Sequence, residues 1–120
     1  MTLNEVQAAL LKIRHLNEAP DKNGEIVVES DVIDAAEQLI PLLDVMPVVY
    51  PSSEGTVVFE YDRDDGTTIT VETCRQSGCI GYKVKDNETE IIFFMNKPEE
   101  LCRILNRNYL IHAKKEQHYL

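Results

Sequence analysis

Residues 56–95 read TVVFEYDRDDGTTITVETCRQSGCIGYKVKDNETEIIFFM, and the predicted fold rests on this segment. It contains short runs of β-branched and aromatic residues, and the gaps between them carry turn-forming Gly, Asp and Asn. This pattern is typical of consecutive strands joined by tight turns. It predicts an antiparallel meander of four strands at residues 56–62, 67–74, 79–85 and 89–95.

Two registers are compatible with the first hairpin of this meander. A two-residue turn would place Tyr61 opposite Thr70, which sets an apolar residue beside a polar one. A three-residue loop at 64–66, with Gly66 in the left-handed conformation of a bulge, sets apolar residues opposite each other instead. We therefore predict the second register. Its apolar pairs are Tyr61 with Ile69 and Phe59 with Val71.

The same alternation orients the two later strands. A gap at residues 75–78 sets Val71 opposite Tyr82 and Ile69 opposite Val84, so that apolar residues again face each other. A turn near residues 86–88 then aligns the last strand with this face. The side chains of the last strand that we predict to point inward are Ile91, Phe93 and Met95.

Helices are predicted both before and after the strands in the sequence. Apolar residues at helical spacing indicate a helix at residues 2–17, followed by a loop at 18–24 and a short extended stretch at 25–29. A second helix should start at Ser30 or Asp31 and end near residues 40–43, because Pro41 lacks the amide that a helix needs. An extended connector is predicted at 45–55, and a last helix after residue 97.

The predicted fold class is α+β, with two N-terminal helices, a four-stranded antiparallel meander and a C-terminal helix. The chain has 120 residues, of which 43% are hydrophobic, so a single domain spanning residues 1–120 is expected. A formal net charge of −9 disfavours direct nucleic-acid binding. The first residues do not show a basic patch followed by an apolar segment, and no apolar stretch is long enough to span a membrane. These features predict a soluble, cytoplasmic protein.

The order of parts before and in the first strand resembles a broad family of small uncharacterised bacterial proteins. Their pattern is an Ala- and Leu-rich helix, Leu-Pro, a Pro-x-x-x-Gly turn and a strand ending in apolar-Glu-Trp. The matching residues here are Ala35-Ala36, Leu39, Met46-Pro47, Pro51 to Gly55 and Phe59-Glu60-Tyr61. Tyr61 stands where the family has Trp. The resemblance covers roughly residues 20–85, supports the fold and implies no known activity.

Cys74 and Cys79 fall directly opposite each other in the predicted register. They could form a disulfide or hold a soft metal, or they could be reduced structural residues. A zinc site needs about four ligands, and the remaining Cys102 and the histidines have no recognised spacing. We therefore predict reduced thiols, with no metal and no cofactor.

Acidic residues crowd two of the predicted turns. The segment 62–66 resembles a calcium loop, but its Gly66 arrives one position too early and no acidic residue closes such a loop. A hairpin turn explains the same residues. The candidate acidic surface consists of Asp62, Asp64, Asp65, Asp86, Glu88 and Glu90.

Ile92 and Phe94 form the most informative anomaly, because the predicted register sends both to the face away from the core. Solvent would favour polar residues there. Either another element of the chain covers them or they form a contact patch with a partner. The candidate protein interface consists of Ile92, Phe94 and Val58.

The leading functional hypothesis is a small acidic protein-interaction module that is not an enzyme and that binds another protein or itself. It rests on the Ile92 and Phe94 anomaly and on the absence of any catalytic spacing. The alternative is an acidic inhibitor or antitoxin-like protein that neutralises a toxin or a nucleic-acid enzyme, suggested by the charge of −9. An unrecognised small hydrolase would need a pocket that joins a His to a Cys or carboxylate.

Overall fold

The computed structural model describes residues 1–18, 28–74 and 78–114 of the chain. The predicted loop at 18–24, the extended stretch at 25–29 and the turn at 75–78 lie largely outside these residues. The helices are α1 (Leu3–Glu18), α2 (Ser30–Leu39) and α3 (Pro98–Ile104). The strands are β1 (Val48–Pro51), β2 (Val57–Asp62), β3 (Thr68–Thr73), β4 (Cys79–Lys85) and β5 (Glu88–Met95).

The architecture is α+β, with one antiparallel sheet in the strand order β1-β2-β3-β4-β5. The sheet has five strands where the sequence predicted four, because β1 forms within the predicted connector at 45–55. Val48 lies opposite Glu60 and Pro51 lies opposite Val57. β1 occupies an edge of the sheet, where a proline is tolerated because its missing N–H need not interrupt the ladder. Pro51, the last residue of β1, therefore did not prevent a strand.

The end of α2 follows from its sequence. Val32, Ile33 and Leu39 lie on its buried stripe. Pro41 lies inside a single turn of 3-10 helix at Ile40–Leu42, and the following Leu43 is extended, with a ψ of 132°. The α-helix thus stops just before the proline, as the sequence predicted.

The register of the β2–β3 hairpin is confirmed. Tyr61 lies opposite Ile69, and Phe59 lies opposite Val71. The amide of Arg63 donates to the carbonyl of Thr67 at 3.0 Å, so residues 64–66 form the loop, and Gly66 has a φ of +82°. Glycine adopts this left-handed conformation without steric penalty, which is why the turn closes here.

The predicted register of the β3–β4 hairpin is wrong by one residue. Val71 lies opposite Gly81 and not opposite Tyr82, while the amide of Cys74 donates to the carbonyl of Gly78 at 2.7 Å. A shift of one residue exchanges the two faces of a strand. Cys79 and Gly81 therefore point into the core, and the predicted inward residues of β4 point outward. Those residues are Ile80, Tyr82 and Val84.

A β-bulge separates the two halves of β5. Gly81 lies opposite Phe93, yet the next residue of β4, Tyr82, lies opposite Ile91, so Ile92 is an extra residue. The prediction for this strand is therefore partly wrong. Ile91 points outward and is 66% exposed, whereas Ile92 packs against the core. A bulge permits this reversal because it breaks the strict alternation of side chains.

The core lies between the inner face of the sheet and the helices. Its largest fully buried side chains include Tyr61, Phe59, Ile33, Leu39, Ile69, Leu101 and Leu105. Apart from Ala35, the buried residues of α1, α2 and α3 belong to this one cluster. The hydroxyl of Tyr61 donates to the carbonyl of Val45 at 2.7 Å, so its polar atom is satisfied within the core. Among the described residues, no helix combines the length and apolarity needed to cross a membrane.

The contact between Gly81 and Phe93 gives a test of the observed register. An ideal Cβ atom at Gly81 would lie 2.3 Å from Cζ of Phe93. We expect Gly81→Ala to lower the free energy of unfolding by about 1–3 kcal/mol, because the ring must leave its packed position. Urea denaturation of the purified protein measures this change.

A double-mutant cycle separates this cause from a general effect on the strand. In a Phe93→Leu background, the destabilisation by Gly81→Ala should shrink by about 1 kcal/mol or more, because Leu lacks the ring atoms that clash. Strictly additive changes would show that the ring does not press on this glycine.

Candidate protein-interaction surface

The sheet has an outer face that lies opposite the helical layer. Phe59, Tyr61, Ile69 and Val71 belong to the core cluster, so their neighbours along β2 and β3 point the other way. The ladder registers extend this face over all five strands. Its principal side chains are Tyr50, Val58, Glu60, Thr70, Glu72, Ile80, Tyr82, Ile91 and Phe94.

Four side chains at the β4–β5 end of this face form a contiguous apolar group, which we name the outer patch. Ile80 lies opposite Phe94 and Tyr82 lies opposite Ile91. Phe94 is 72% exposed and Ile91 is 66% exposed, while Ile80 and Tyr82 are half-buried. Aromatic and β-branched residues paired in this way stabilise a hairpin and leave a broad apolar surface.

Polar side chains border the outer patch on β3. Thr70 lies opposite Tyr82, and Glu72 lies opposite Ile80. Partial burial raises the pKa of the Tyr82 phenol, and the charge of Glu72 adds to the effect. The phenol therefore stays protonated at neutral pH and can donate a hydrogen bond at the border of the patch.

The outer face towards β1 is less accessible. Val58 points to this face, as predicted, but is only 3% exposed. Glu60 accepts a weak hydrogen bond from the hydroxyl of Tyr50 at 3.4 Å, and burial, together with the charge of Asp62, raises the pKa of Glu60. Val58 is therefore a packed residue and cannot contribute a contact surface.

The structure changes the membership of the predicted interface. The prediction that Ile92 points outward is wrong, because the bulge turns it towards the core and exposes Ile91 in its place. Phe94 lies on the outer face and is among the most exposed large apolar side chains. Sequence reasoning missed Ile91, Ile80 and Tyr82. The one signal in the sequence was that, in β4 and in β5, each of the two alternating series of side chains contains apolar residues.

The candidate acidic residues lie in two turns or at the adjoining strand ends, all at the same end of the sheet, since the β2–β3 and β4–β5 hairpins close at that end. Asp65 accepts hydrogen bonds from the amide and hydroxyl of Thr67, which lower its pKa. It is thus part of the turn. Glu88 and Glu90 lie opposite Lys85 and Lys83, so basic residues alternate with the acids. The remaining acids at this end are Asp62, Asp64 and Asp86.

The predicted juxtaposition of Cys74 and Cys79 is wrong, because the one-residue shift places Cys79 opposite Thr73. Neither of these cysteines nor Cys102 forms a disulfide. Burial raises the pKa of Cys79 to about 12 and that of Cys102 to about 11, so both are neutral at pH 7. Within the described part of the chain, no three His, Cys, Asp or Glu side chains gather as metal ligands.

A groove of about 370 Å³ lies between α1 and α2. Its lining residues are Leu3, Gln7, Leu10, Glu37, Ile40 and Pro41. Gln7 and Glu37 supply its polar side chains, and the lining pairs no nucleophile with a base. The outer patch is therefore the better candidate for a functional site.

The buried thiols predict a loss of stability at alkaline pH. An unfolded thiol ionises near pH 9, whereas the folded pKa values are about 12 for Cys79 and about 11 for Cys102. The contribution of these thiols to the free energy of unfolding is fully present below about pH 9. It is lost as the pH rises, by about 1.4 kcal/mol per pH unit for each thiol, until the folded pKa is reached. Urea denaturation between pH 8 and pH 11 measures this slope.

Two cysteine variants show which thiols cause the loss of stability with rising pH. Cys102→Ala should reduce it, because one buried ionisable group is removed, whereas Cys74→Ala should leave most of it, because that thiol is only half-buried. An unchanged slope in Cys102→Ala would contradict the assignment.

Comparisons with protein-family models, with curated proteins and with solved structures find no match to this chain. The resemblance to small bacterial proteins therefore stays a prediction.

Proposed function

We propose that this chain is a small, acidic, non-catalytic protein-interaction module whose contact surface is the outer patch. The observation that carries the proposal is the exposure of Phe94 and Ile91, at 72% and 66%, side by side on one face of a hairpin. Contiguous exposed apolar groups of this kind mark binding surfaces, whereas single exposed residues do not.

The composition of the outer patch suits a contact with another protein. Aromatic side chains are enriched at the centres of interfaces, where they remove a large area from water at a small entropic cost. Phe94 and Tyr82 would supply these anchors. Thr70 and Glu72 would lie at the polar rim. The β4 and β5 ladders hold the patch rigid, so little ordering is needed on binding.

A binding role also agrees with the state of the chemically reactive groups. The thiols of Cys79 and Cys102 are buried and protonated at neutral pH, so they are poor nucleophiles. His15 and His112 are exposed and belong to different parts of the fold. Cysteines that form no disulfide are typical of a reducing compartment, and a cytoplasmic location is therefore part of the proposal.

Substitution of Phe94 tests the outer patch. Proximity labelling in source cells identifies binding proteins, and their affinity for purified variants is then measured. We expect Phe94→Glu to weaken binding by about tenfold or more, because a carboxylate would be desolvated at the centre of the interface. Its free energy of unfolding should fall by no more than about 1 kcal/mol, since the residue is exposed and loses only its cross-strand pair with Ile80.

Leu11→Glu provides a matched control, since it adds the same charge at an apolar residue that is 55% exposed on α1. α1 contacts β1, the opposite edge of the sheet from β5. This variant should bind as the wild type does. Equal binding by all three proteins would refute a role for the outer patch.

The alternative function, an acidic inhibitor or antitoxin-like protein, has one observation in its favour. The fold brings the acidic turns that contain Asp64 and Asp86 to the same end of the sheet. The interleaved Lys83 and Lys85 reduce the negative field there, however, and Asp65 is engaged in its own turn. We therefore rank this function second.

Charge reversal distinguishes the two functions. An inhibitor that presents a negative surface should lose about tenfold in target affinity when Asp64 and Asp86 are both changed to Lys, and salt should weaken the wild-type complex. For a module that binds through the outer patch, this double variant should bind normally and Phe94→Glu should not. Affinities of the labelled partner at about 0.05 M and 0.5 M salt provide both measurements.

A further inference from the structure

We propose that the partner at the outer patch is a second copy of this chain, paired through β5 in antiparallel orientation about a two-fold axis. This proposal rests on the proposed function, because it names the occupant of the same surface. It goes further in predicting a backbone interaction, a register and a symmetry. The pairing would join two five-stranded sheets into one continuous sheet.

β5 is an open edge of the sheet. It pairs with β4 on one side, and none of the backbone hydrogen bonds found outside the ladders among the described residues involves it. It has eight residues, none of which is proline. A long edge strand with free amides and carbonyls is a template for pairing with another strand.

The opposite edge of the sheet is not comparable. β1 has four residues and ends at Pro51, and it contacts α1. Beyond β1, the edge of β2 is occupied by the C-terminal segment, because Arg63 bridges Ala113 and the amide of Lys114 donates to the carbonyl of Asp62. Among the described strands, β5 is therefore the edge that can accept a second chain.

The bulge in β5 fixes a register for a symmetric pair. It places Ile91 and Phe94 on the same face although they are three positions apart in the chain. A two-fold axis between Ile92 and Phe93 would set Ile91 of one copy opposite Phe94 of the other, and the reverse. Both outer patches would then merge into one apolar surface across the axis, with the exposed side chains packed in cross-strand pairs.

The charges along β5 select the antiparallel orientation. Its first half carries Glu88 and Glu90, whereas Lys97 lies two residues beyond its last residue, Met95. The register set by the bulge places Glu88 of one copy opposite Lys97 of the other. A parallel pair would place Glu88 beside its own equivalent, and like charges in that position are unfavourable. The chain thus carries complementary charges at the two ends of the strand.

The net charge limits the affinity. Each copy has a formal charge of −9, and repulsion between two such chains opposes association. We therefore expect a dissociation constant of about 10–100 μM, which is typical of a small, reversible interface.

Amides of β5 should exchange more slowly with deuterium as the protein concentration rises, because the second copy protects the edge.

Sedimentation of the purified full chain tests the pairing, from about 10 μM to about 1 mM. The weight-average mass should rise above the monomer mass of 13.7 kDa with concentration. Phe94→Glu should raise the dissociation constant by about tenfold or more, and Leu11→Glu should not change it. A mass of 13.7 kDa throughout the range would overturn the proposal.

A charge swap tests the register. Glu88→Lys and Lys97→Glu should each weaken the dimer by about two- to tenfold, since each replaces two attractive pairs by repulsive ones. The double variant E88K/K97E should restore the wild-type constant, because the pairs are re-formed with reversed sign. A dimer that the double variant does not restore would overturn this register and the proposal with it.

The outcomes separate this proposal from the proposed function. A strictly monomeric chain whose Phe94→Glu variant loses a different cellular partner would overturn the self-pairing and leave the interaction module intact. A chain that neither self-associates nor loses any partner in Phe94→Glu would overturn both.

Discussion

The structure depends on one close contact, the phenyl ring of Phe93 against the bare backbone of Gly81. No other residue type leaves room for the ring, since even a methyl group at Gly81 would meet its atoms at 2.3 Å. The contact pins β4 to β5 at one level of the sheet and turns Gly81 towards the core. Cross-strand pairs of glycine and an aromatic residue are a recognised way to set the register of a sheet.

The orientation of the side chains of β4 and β5 follows from this contact. With Gly81 facing inward, Cys79 also faces inward, and Ile80 and Tyr82 must face outward. Ile92 is then the extra residue of the bulge, and Ile91 joins Phe94 on the outer face. The same device that fills the core therefore creates the apolar surface outside it.

The division of the sheet into two faces explains why a surface, and not a cavity, is the candidate site. The helices use their apolar residues on the inner face, where they form one cluster with β2 and β3. The thiols of Cys79 and Cys102 are buried in this core and remain neutral at pH 7. The outer patch stays accessible beside an open strand edge, and both features favour contact with another polypeptide.

Features that depend on local chemistry could be predicted from the amino-acid sequence. The loop at 64–66 and the pairing of Tyr61 with Ile69 follow from a glycine that adopts a positive φ, and the end of α2 follows from Pro41. The strand β1, the register of β4 and the bulge depend instead on contacts between distant parts of the chain. Side-chain alternation favoured Ile80, Tyr82 and Val84 as the core face of β4, because these residues are more apolar than their neighbours. The observed register differs because Phe93, twelve positions away in the chain, fills the space above Gly81. A contact of this kind has no signature in the local sequence.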